Sequence, residues 1–178
     1  MLSRRTFLKN AIYASLASTV SLPLSAHASA TLGTKKIDVV SDGSLTLPGS
    51  FIFEPMPKDE LPPILNKYGQ SVDQVTPPCN VTLLRFDDRV VLFDIGSGPD
   101  FAPNSGILLD SLDALGVAPE DVTDIVFTHA HPDHLWGLLD DFGDPLFSEA
   151  SYMIGKTEWD YWMDPNTVDT IGEARASF

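Results

Sequence analysis

Three of the four histidines in this chain of 178 residues lie within one short segment, THAHPDHLWG at residues 128–137, together with Asp133. Imidazole nitrogen and carboxylate oxygen are the ligands expected for zinc, and they also suit iron, manganese and cobalt. This density of ligand types predicts a metal site. The residue types alone do not select among these ions.

Pro132 sets the expected shape of the histidine segment. The residue before a proline disfavours the helical conformation, so His131 should be extended. Residues two apart in an extended segment point the same way, which aims His129 and His131 at one cation. Pro132 also suits the first turn of a helix. Asp133 and His134 would project from that turn in other directions, so the loop predicts a site for two metals.

The elements around this loop are predicted to be strands and helices in alternation. The segments 80–86 (NVTLLRF) and 89–96 (RVVLFDIG) predict a buried hairpin, and 122–128 (VTDIVFT) predicts a strand that leads into the histidines. Residues 104–117 have helical spacing, with Asn104 or Ser105 as the cap and Gly116 at the end. Strand, helix and strand indicate an α/β fold.

The flanking segments give weaker patterns. Residues 36–48 predict two short strands around a tight turn at Asp42 and Gly43. Residues 51–79 predict a loop with a short helix at 61–68, which is either a flap over a site or a surface excursion. After the histidines we expect a short helix at 134–143, a strand at 150–155 and a helix at 157–163.

Residues 1–30 form a separate segment, in which a basic head precedes a short apolar stretch and Ala-x-Ala sites. That order is typical of a cleaved export signal, and the apolar stretch is shorter than the ~20 residues needed to span a bilayer. We therefore expect no stable membrane anchor. The segment SRRTFLK resembles the twin-arginine signal of bacteria, which implies contact with the export machinery and a periplasmic or secreted protein. An ordinary secretory signal is the alternative.

The remaining residues, 31–178, are expected to form one domain. The net charge is −14, and removing residues 1–30, with three basic and no acidic residues, leaves 8 Lys and Arg against 25 Asp and Glu, or −17. Such a surface repels nucleic acid and anionic lipid, so nucleic acid is not an expected partner, and solubility is the simpler explanation of the acid excess. The expected partner is a small-molecule substrate. Cys79 is the only cysteine, which excludes an internal disulfide.

The segment HAHPDH matches the HxHxDH signature of the metallo-β-lactamase superfamily, and the upstream VVLFDIGSG resembles the strand that ends in Asp-x-Gly there. Residues 80–165 are similar to the N-terminal half of the αββα fold of that superfamily. Exported organophosphate hydrolases of the methyl parathion hydrolase type, and related lactonases, are the nearest resemblance. The resemblance implies two divalent ions, zinc above all, with iron, manganese or cobalt as alternatives.

The resemblance also implies roles for single residues. His129 and His131 would bind one metal, while Asp133 and His134 would bind the other, and Asp133 would be the catalytic residue of the set. Asp94 would support the metal loop without binding an ion.

Aromatic residues near the loop are a second implication. Phe101 and Trp162 fall where the parathion hydrolase type has pocket aromatics, although both residues could instead pack in the core. Trp136 departs from the glycine-rich continuation DHxGG, which puts the shape of that turn in question.

Members of the superfamily complete the site with two more histidines and a bridging aspartate from the C-terminal half. No histidine follows His134, and Asp140, Asp141 and Asp164 form no ligand pattern. Two divalent ions beside one carboxylate would be poorly compensated in charge. We therefore expect these residues to be an incomplete, inactive part of a longer enzyme, truncated at the C-terminus, with one apolar sheet face uncovered.

The function expected of the whole enzyme is metal-dependent hydrolysis, in which a metal-bridged hydroxide attacks an ester, a lactone or a phosphotriester. One alternative is an iron-dependent oxidoreductase of the same superfamily. Another is a noncatalytic metal-binding fragment.

Overall fold

A computed structural model describes residues 28–172 of the chain. Most of the predicted export signal, residues 1–27, lies outside these described residues, while Ala28–Ala30 begin the first strand. Within the described part, no helix is long and apolar enough to cross a membrane.

Strands and short helices alternate along the described chain. The strands are β1 (Ala28–Leu32), β2 (Lys35–Ser44), β3 (Leu47–Pro48), β4 (Gln74–Val75), β5 (Pro78–Phe86), β6 (Arg89–Phe93), β7 (Asp124–Phe127) and β8 (Ser151–Ile154). The α-helices are α1 (Gly49–Phe53), α2 (Leu61–Lys67), α3 (Leu108–Asp113), α4 (Pro132–Leu135), α5 (Lys156–Met163) and α6 (Pro165–Ile171). Single 3₁₀ turns cover Pro119–Asp121 and Trp136–Leu138.

Six strands form one mixed sheet in the order β1-β2-β5-β6-β7-β8, and β3 pairs with β4 separately. The pairs from β1 to β6 are antiparallel, whereas β7 runs parallel to both β6 and β8. Parallel strands end at the same edge of a sheet, where ligand sites of α/β proteins are usually found. The predicted α/β fold is therefore confirmed, and it places the ends of β6, β7 and β8 side by side.

The two faces of this sheet differ in burial. On one face, Leu83, Leu92 and Ile125 are cross-strand neighbours, and together with Val40 they are almost fully buried in the core that includes Leu108 and Leu112 of α3. Their sequence neighbours point to the opposite face, because side chains alternate along a strand. On that face Ile37, Val39, Leu84, Phe93 and Val126 are only partly buried.

The tight turn predicted at Asp42 and Gly43 is wrong. β2 continues through both residues, and its register with β5 shifts between Ser41 and Gly43, as in a β-bulge. Gly43 uses its positive φ of 97° in this bulge, where a Cβ would lie 2.1 Å from the Asn104 carbonyl oxygen. The glycine thus permits a close backbone contact instead of a reversal of the chain.

The predicted cap of the helix after β6 is also wrong. α3 begins later than expected, and its N-cap position, Ile107, offers no side-chain acceptor. The acceptor is Asp42, whose Oδ1 lies 3.0 Å from the Leu108 nitrogen and whose Oδ2 lies 2.9 Å from the Ser97 nitrogen. A buried carboxylate on β2 therefore replaces the local caps expected at Asn104 or Ser105.

The other elements follow the sequence more closely. The hairpin of β5 and β6, with Asp87 at φ 51° in its turn, is confirmed, as are β7, β8, α2 and α5. The helix expected after the histidines is confirmed in a shorter form, α4 with one 3₁₀ turn. Sequence reasoning missed α6, which Asp164 caps by accepting a hydrogen bond from the Asn166 nitrogen at 2.9 Å.

We predict that Asp42→Ala lowers the free energy of unfolding by about 3 kcal/mol, because two buried N–H groups lose their acceptor. Urea denaturation of the full chain measures the change. Asp113→Ala, at an exposed position of α3, is the control and should shift stability by less than about 0.5 kcal/mol. Equal effects of both variants would contradict this account of Asp42.

Candidate metal centre

The histidine segment leaves the carboxyl end of β7 and enters α4. Two backbone hydrogen bonds tie it to the end of β6: the Asp94 nitrogen donates to the Val126 oxygen at 3.1 Å, and the Ile95 nitrogen donates to the His134 oxygen at 3.1 Å. The loop is therefore fixed at both of its ends by the neighbouring strand.

The backbone conformation predicted from Pro132 is confirmed. His131 is extended, with φ −80° and ψ 155°, and Pro132 occupies the first turn of α4. The ring of His129 has its centroid 4.5 Å from that of His131 and 4.0 Å from that of His134. The three imidazoles predicted to bind metal thus form one cluster.

Asp94 holds this cluster from β6. Its backbone has a positive φ of 67°, which is uncommon for a residue with a side chain, and its carboxylate is buried. Oδ1 accepts a hydrogen bond from the Thr128 nitrogen at 2.7 Å, and Oδ2 accepts one from Thr128 Oγ1 at 2.8 Å. Oδ2 also lies 2.9 Å from His134 Nδ1. One carboxylate therefore contacts both sides of the loop.

These contacts assign the tautomer of His129. The Thr128 hydroxyl has one proton, which it donates to Asp94, so at its 3.0 Å contact with His129 Nδ1 the hydroxyl oxygen must accept. Nδ1 of His129 therefore carries the proton, and Nε2 keeps its lone pair. An engaged Nδ1 and an available Nε2 are the usual state of a metal-binding histidine.

His134 has a different protonation state. Its Nε2 lies 3.4 Å from Asp133 Oδ2. The hydrogen bond with Asp133, and second in size the one with Asp94, raise the pKa of His134 to about 9. The contact between His134 and Asp133 also lowers the pKa of Asp133. By contrast, burial lowers the pKa of His129, and the charges of the neighbouring His134 and His131 lower it further. At neutral pH the structure therefore pairs a neutral His129 with a protonated His134.

The donor chemistry of the cluster fits divalent cations, but the donors do not all converge. Among residues 28–172, no three or more His, Cys, Asp or Glu side chains are arranged as a formed metal site. The fit rests on the tautomer of His129 and on the fixed orientation of the His134 ring. The ligand roles of His129, His131, Asp133 and His134 remain predictions, as does the supporting role of Asp94.

A second carboxylate, which sequence reasoning missed, holds the loop from the other side. Glu158 Oε1 accepts hydrogen bonds from the Ala130 nitrogen at 2.9 Å and from Trp162 Nε1 at 2.7 Å. The hydrogen bond from the Ala130 N–H lowers the pKa of Glu158. Burial, the next largest influence, acts in the opposite direction. Glu158 lies 28 residues from its partner on a separate helix, so no local spacing in the sequence could indicate it.

Of the two predicted pocket aromatics, Trp162 contacts the cluster, whereas Phe101 packs against Trp136. The ring of Trp162 contacts that of His131 edge-on at 6.3 Å, and Phe101 packs edge-on against Trp136 at 5.4 Å. Trp162 also packs against the core. Their pocket role stays a prediction.

The turn at Trp136 is regular despite its departure from the glycine-rich pattern. Trp136 has φ −69° and ψ −11°, a conformation open to any residue. The glycine that the packing requires is Gly137, where a Cβ would lie 2.4 Å from the Ile95 carbonyl oxygen.

A cavity of about 200 Å³ adjoins the cluster, and Cys79, Asp94, Asp133 and His134 are among its lining residues. A larger cleft of about 520 Å³ lies elsewhere, between α1, α2 and the Val72–Asp73 segment. The segment 51–79 thus supplies most of the lining of that cleft, and its last residues, Pro77–Cys79, line the cavity beside the histidine site.

Two of the acidic residues after the cluster, Asp140 and Asp164, serve local structure. Asp140 Oδ1 accepts hydrogen bonds from the nitrogens of Phe142 and Asp144 within one turn, and Asp164 caps α6.

Comparison with known proteins gives matches of two kinds. The family model described as metallo-beta-lactamase superfamily matches residues 76–140. A mouse protein, metallo-beta-lactamase domain-containing protein 1, is 47% identical over 49 residues, which are 28% of this chain and 16% of the mouse protein.

Two solved structures are similar over most of the chain. AidC, described as a dizinc quorum-quenching lactonase, is 29% identical with a TM-score of 0.75, over 85% of this chain and 54% of AidC. AbOPH, described as a hydrolase in the beta lactamase superfamily, is 29% identical with a TM-score of 0.73, over 81% of this chain and 49% of AbOPH. The chain thus spans about half the length of these proteins. The metallo-β-lactamase match is thus carried by residues 76–140, and the mixed α/β fold of the described chain matches the fold of that superfamily.

Proposed function

We propose that the protein is a metal-dependent hydrolase that acts on an ester, a lactone or a phosphotriester. The observation that carries the proposal is the imidazole cluster at the end of β7, in which Asp94 and Thr128 engage Nδ1 of His134 and His129. The similarity to AidC, a dizinc lactonase, and to AbOPH, a hydrolase, supports the same reaction class.

His129 and His131 would hold one divalent ion, and Asp133 and His134 would hold a second, with zinc as the expected metal. When bound, two such ions supply Lewis acidity toward the substrate and lower the pKa of water. We propose that further ligands come from outside the described residues, because charge compensation of two cations requires more than the one carboxylate of Asp133.

In this proposal, the described residues hold the metal ligands and the substrate in position, and none of them is the nucleophile. Asp94 and Thr128 contact Nδ1 of His134 and His129 and so orient the two rings, as the outer partners of metal-binding histidines do. The cavity beside Asp133 and His134 offers about 200 Å³, which suits the reacting group of a small ester. The net charge of −14 disfavours anionic substrates, so neutral lactones and triesters are favoured over phosphate monoesters.

The proposal includes a place of action outside the cytoplasm. It rests on the twin-arginine-like segment SRRTFLK near the N-terminus, and a protein loaded with metal before export would suit that route. Fractionation of cells that express the full-length protein tests the localisation.

We predict that joint replacement of His129 and His131 by alanine removes about one zinc per chain from the full-length protein. Hydrolysis of an aryl ester or a lactone should fall by more than about 100-fold, because changes outside the ligand set alone cost 10- to 100-fold. Metal analysis and steady-state kinetics measure both quantities. Asp113→Ala, on α3, is the control and should change neither.

Two results would contradict the hydrolase proposal. One is unchanged zinc content in the double variant. The other is stoichiometric redox-active iron in the wild-type protein without any hydrolysis, which would favour an iron-dependent oxidoreductase.

We also predict that zinc binding releases a proton from His134. The pKa of this imidazole is raised to about 9, so the proton is present below pH 9 and competes with the cation. Zinc affinity should therefore rise with pH up to about 9 and level off above it. Calorimetry at pH 7 in buffers of different ionisation enthalpy counts the protons, and a count of zero would contradict the assignment.

A further inference from the structure

We infer that Glu158 is the positioning residue for the His129–His131 segment, and that it acts by accepting the Ala130 N–H. The inference rests on the proposed function, because that segment supplies the predicted metal ligands. Neither the family match, at residues 76–140, nor the HxHxDH pattern includes Glu158.

The contact occurs where the sheet can no longer support the loop. β7 ends at Phe127, and its pairing with β8 extends to the same residue. Ala130 is fully buried, so its N–H needs a protein acceptor in place of a strand partner. Glu158 Oε1 provides that acceptor at 2.9 Å.

The same oxygen is itself fixed in place. Trp162, one turn further along α5, donates its Nε1–H to Glu158 Oε1 at 2.7 Å, and its ring contacts that of His131. Glu158 therefore holds the backbone between the two histidines, while Trp162 packs beside one of their rings. A shift of Ala130 would move both imidazoles together.

The partners of Glu158 indicate positioning first, since the charges of His129 and His131 lower its pKa less than its two hydrogen bonds do. The ion pairs found within residues 28–172 do not include Glu158. Both of its hydrogen bonds come from N–H groups, which a neutral amide oxygen also accepts. Replacement by glutamine thus keeps the contact and removes the charge, whereas alanine removes both.

The test compares the full-length wild-type protein with the variants Glu158→Ala and Glu158→Gln. Asp160→Asn is the matched control, because Asp160 lies exposed on the same helix and pairs with Lys156. The readouts are the zinc Kd from competition with a chelator, the urea midpoint, and amide exchange at Ala130 in the metal-free protein.

We expect Glu158→Ala to raise the zinc Kd by about 10-fold or more, as removal of outer contacts of a metal site does, and to speed exchange at Ala130 by about 10-fold. Glu158→Gln should restore both values to within about 3-fold of the wild type. Asp160→Asn should leave both unchanged. If Glu158→Ala does not fold, Glu158→Met fills the same space without an acceptor and replaces it in the test.

Two results overturn the inference. One is a Kd and an Ala130 exchange rate in Glu158→Ala that match those of the wild type. The other is a glutamine variant as impaired as the alanine variant, which would assign the effect to charge. If the wild-type protein binds no zinc, the proposed function fails, and unchanged exchange at Ala130 in Glu158→Ala would then overturn the positioning role separately.

Discussion

The site depends first on the buried carboxylate of Asp94. It stands at the end of β6, where a left-handed backbone conformation turns the side chain toward the neighbouring loop. From there it accepts both the backbone N–H and the hydroxyl of Thr128, and it contacts the ring of His134. Because β6 and β7 are parallel and adjacent, a single side chain can thus set both the start of the loop at Thr128 and the orientation of the His134 ring, which lies seven residues beyond the end of β7.

Asp94 and Glu158 act on opposite sides of β7. Asp94 comes from β6 and holds Thr128, whereas Glu158 comes from the helix after β8 and holds Ala130. Thr128 and Ala130, whose backbone N–H groups the two carboxylates accept, alternate along the chain with His129 and His131, whose rings form the cluster. The parallel order β6-β7-β8 is what places both carboxylates within reach. The histidine loop therefore has an ordered backbone although it lies beyond the last strand pairing.

The parts of the fold that the sequence predicted are those set by local rules. Pro132 determines the extended His131 and the start of α4, and alternation of apolar residues determines the β5–β6 hairpin. The errors involve contacts between distant residues. Asp42 and Gly43 have the composition of a tight turn, but a partner 66 residues away makes Asp42 a helix cap. Glu158 was missed for the same reason: a side chain that accepts a hydrogen bond from a distant loop N–H follows no periodic pattern in the sequence.

The sheet face opposite the core has a consequence for the loop. Phe93 and Val126 are cross-strand neighbours on that partly buried face, and they lie next to Asp94 and close to Thr128 in the chain. Strand ends with one solvated face fluctuate more than strands packed on both sides. Any layer that packed against Phe93 and Val126 would reduce such fluctuation at the ends of β6 and β7, and it would thereby restrict the spacing of the imidazoles further.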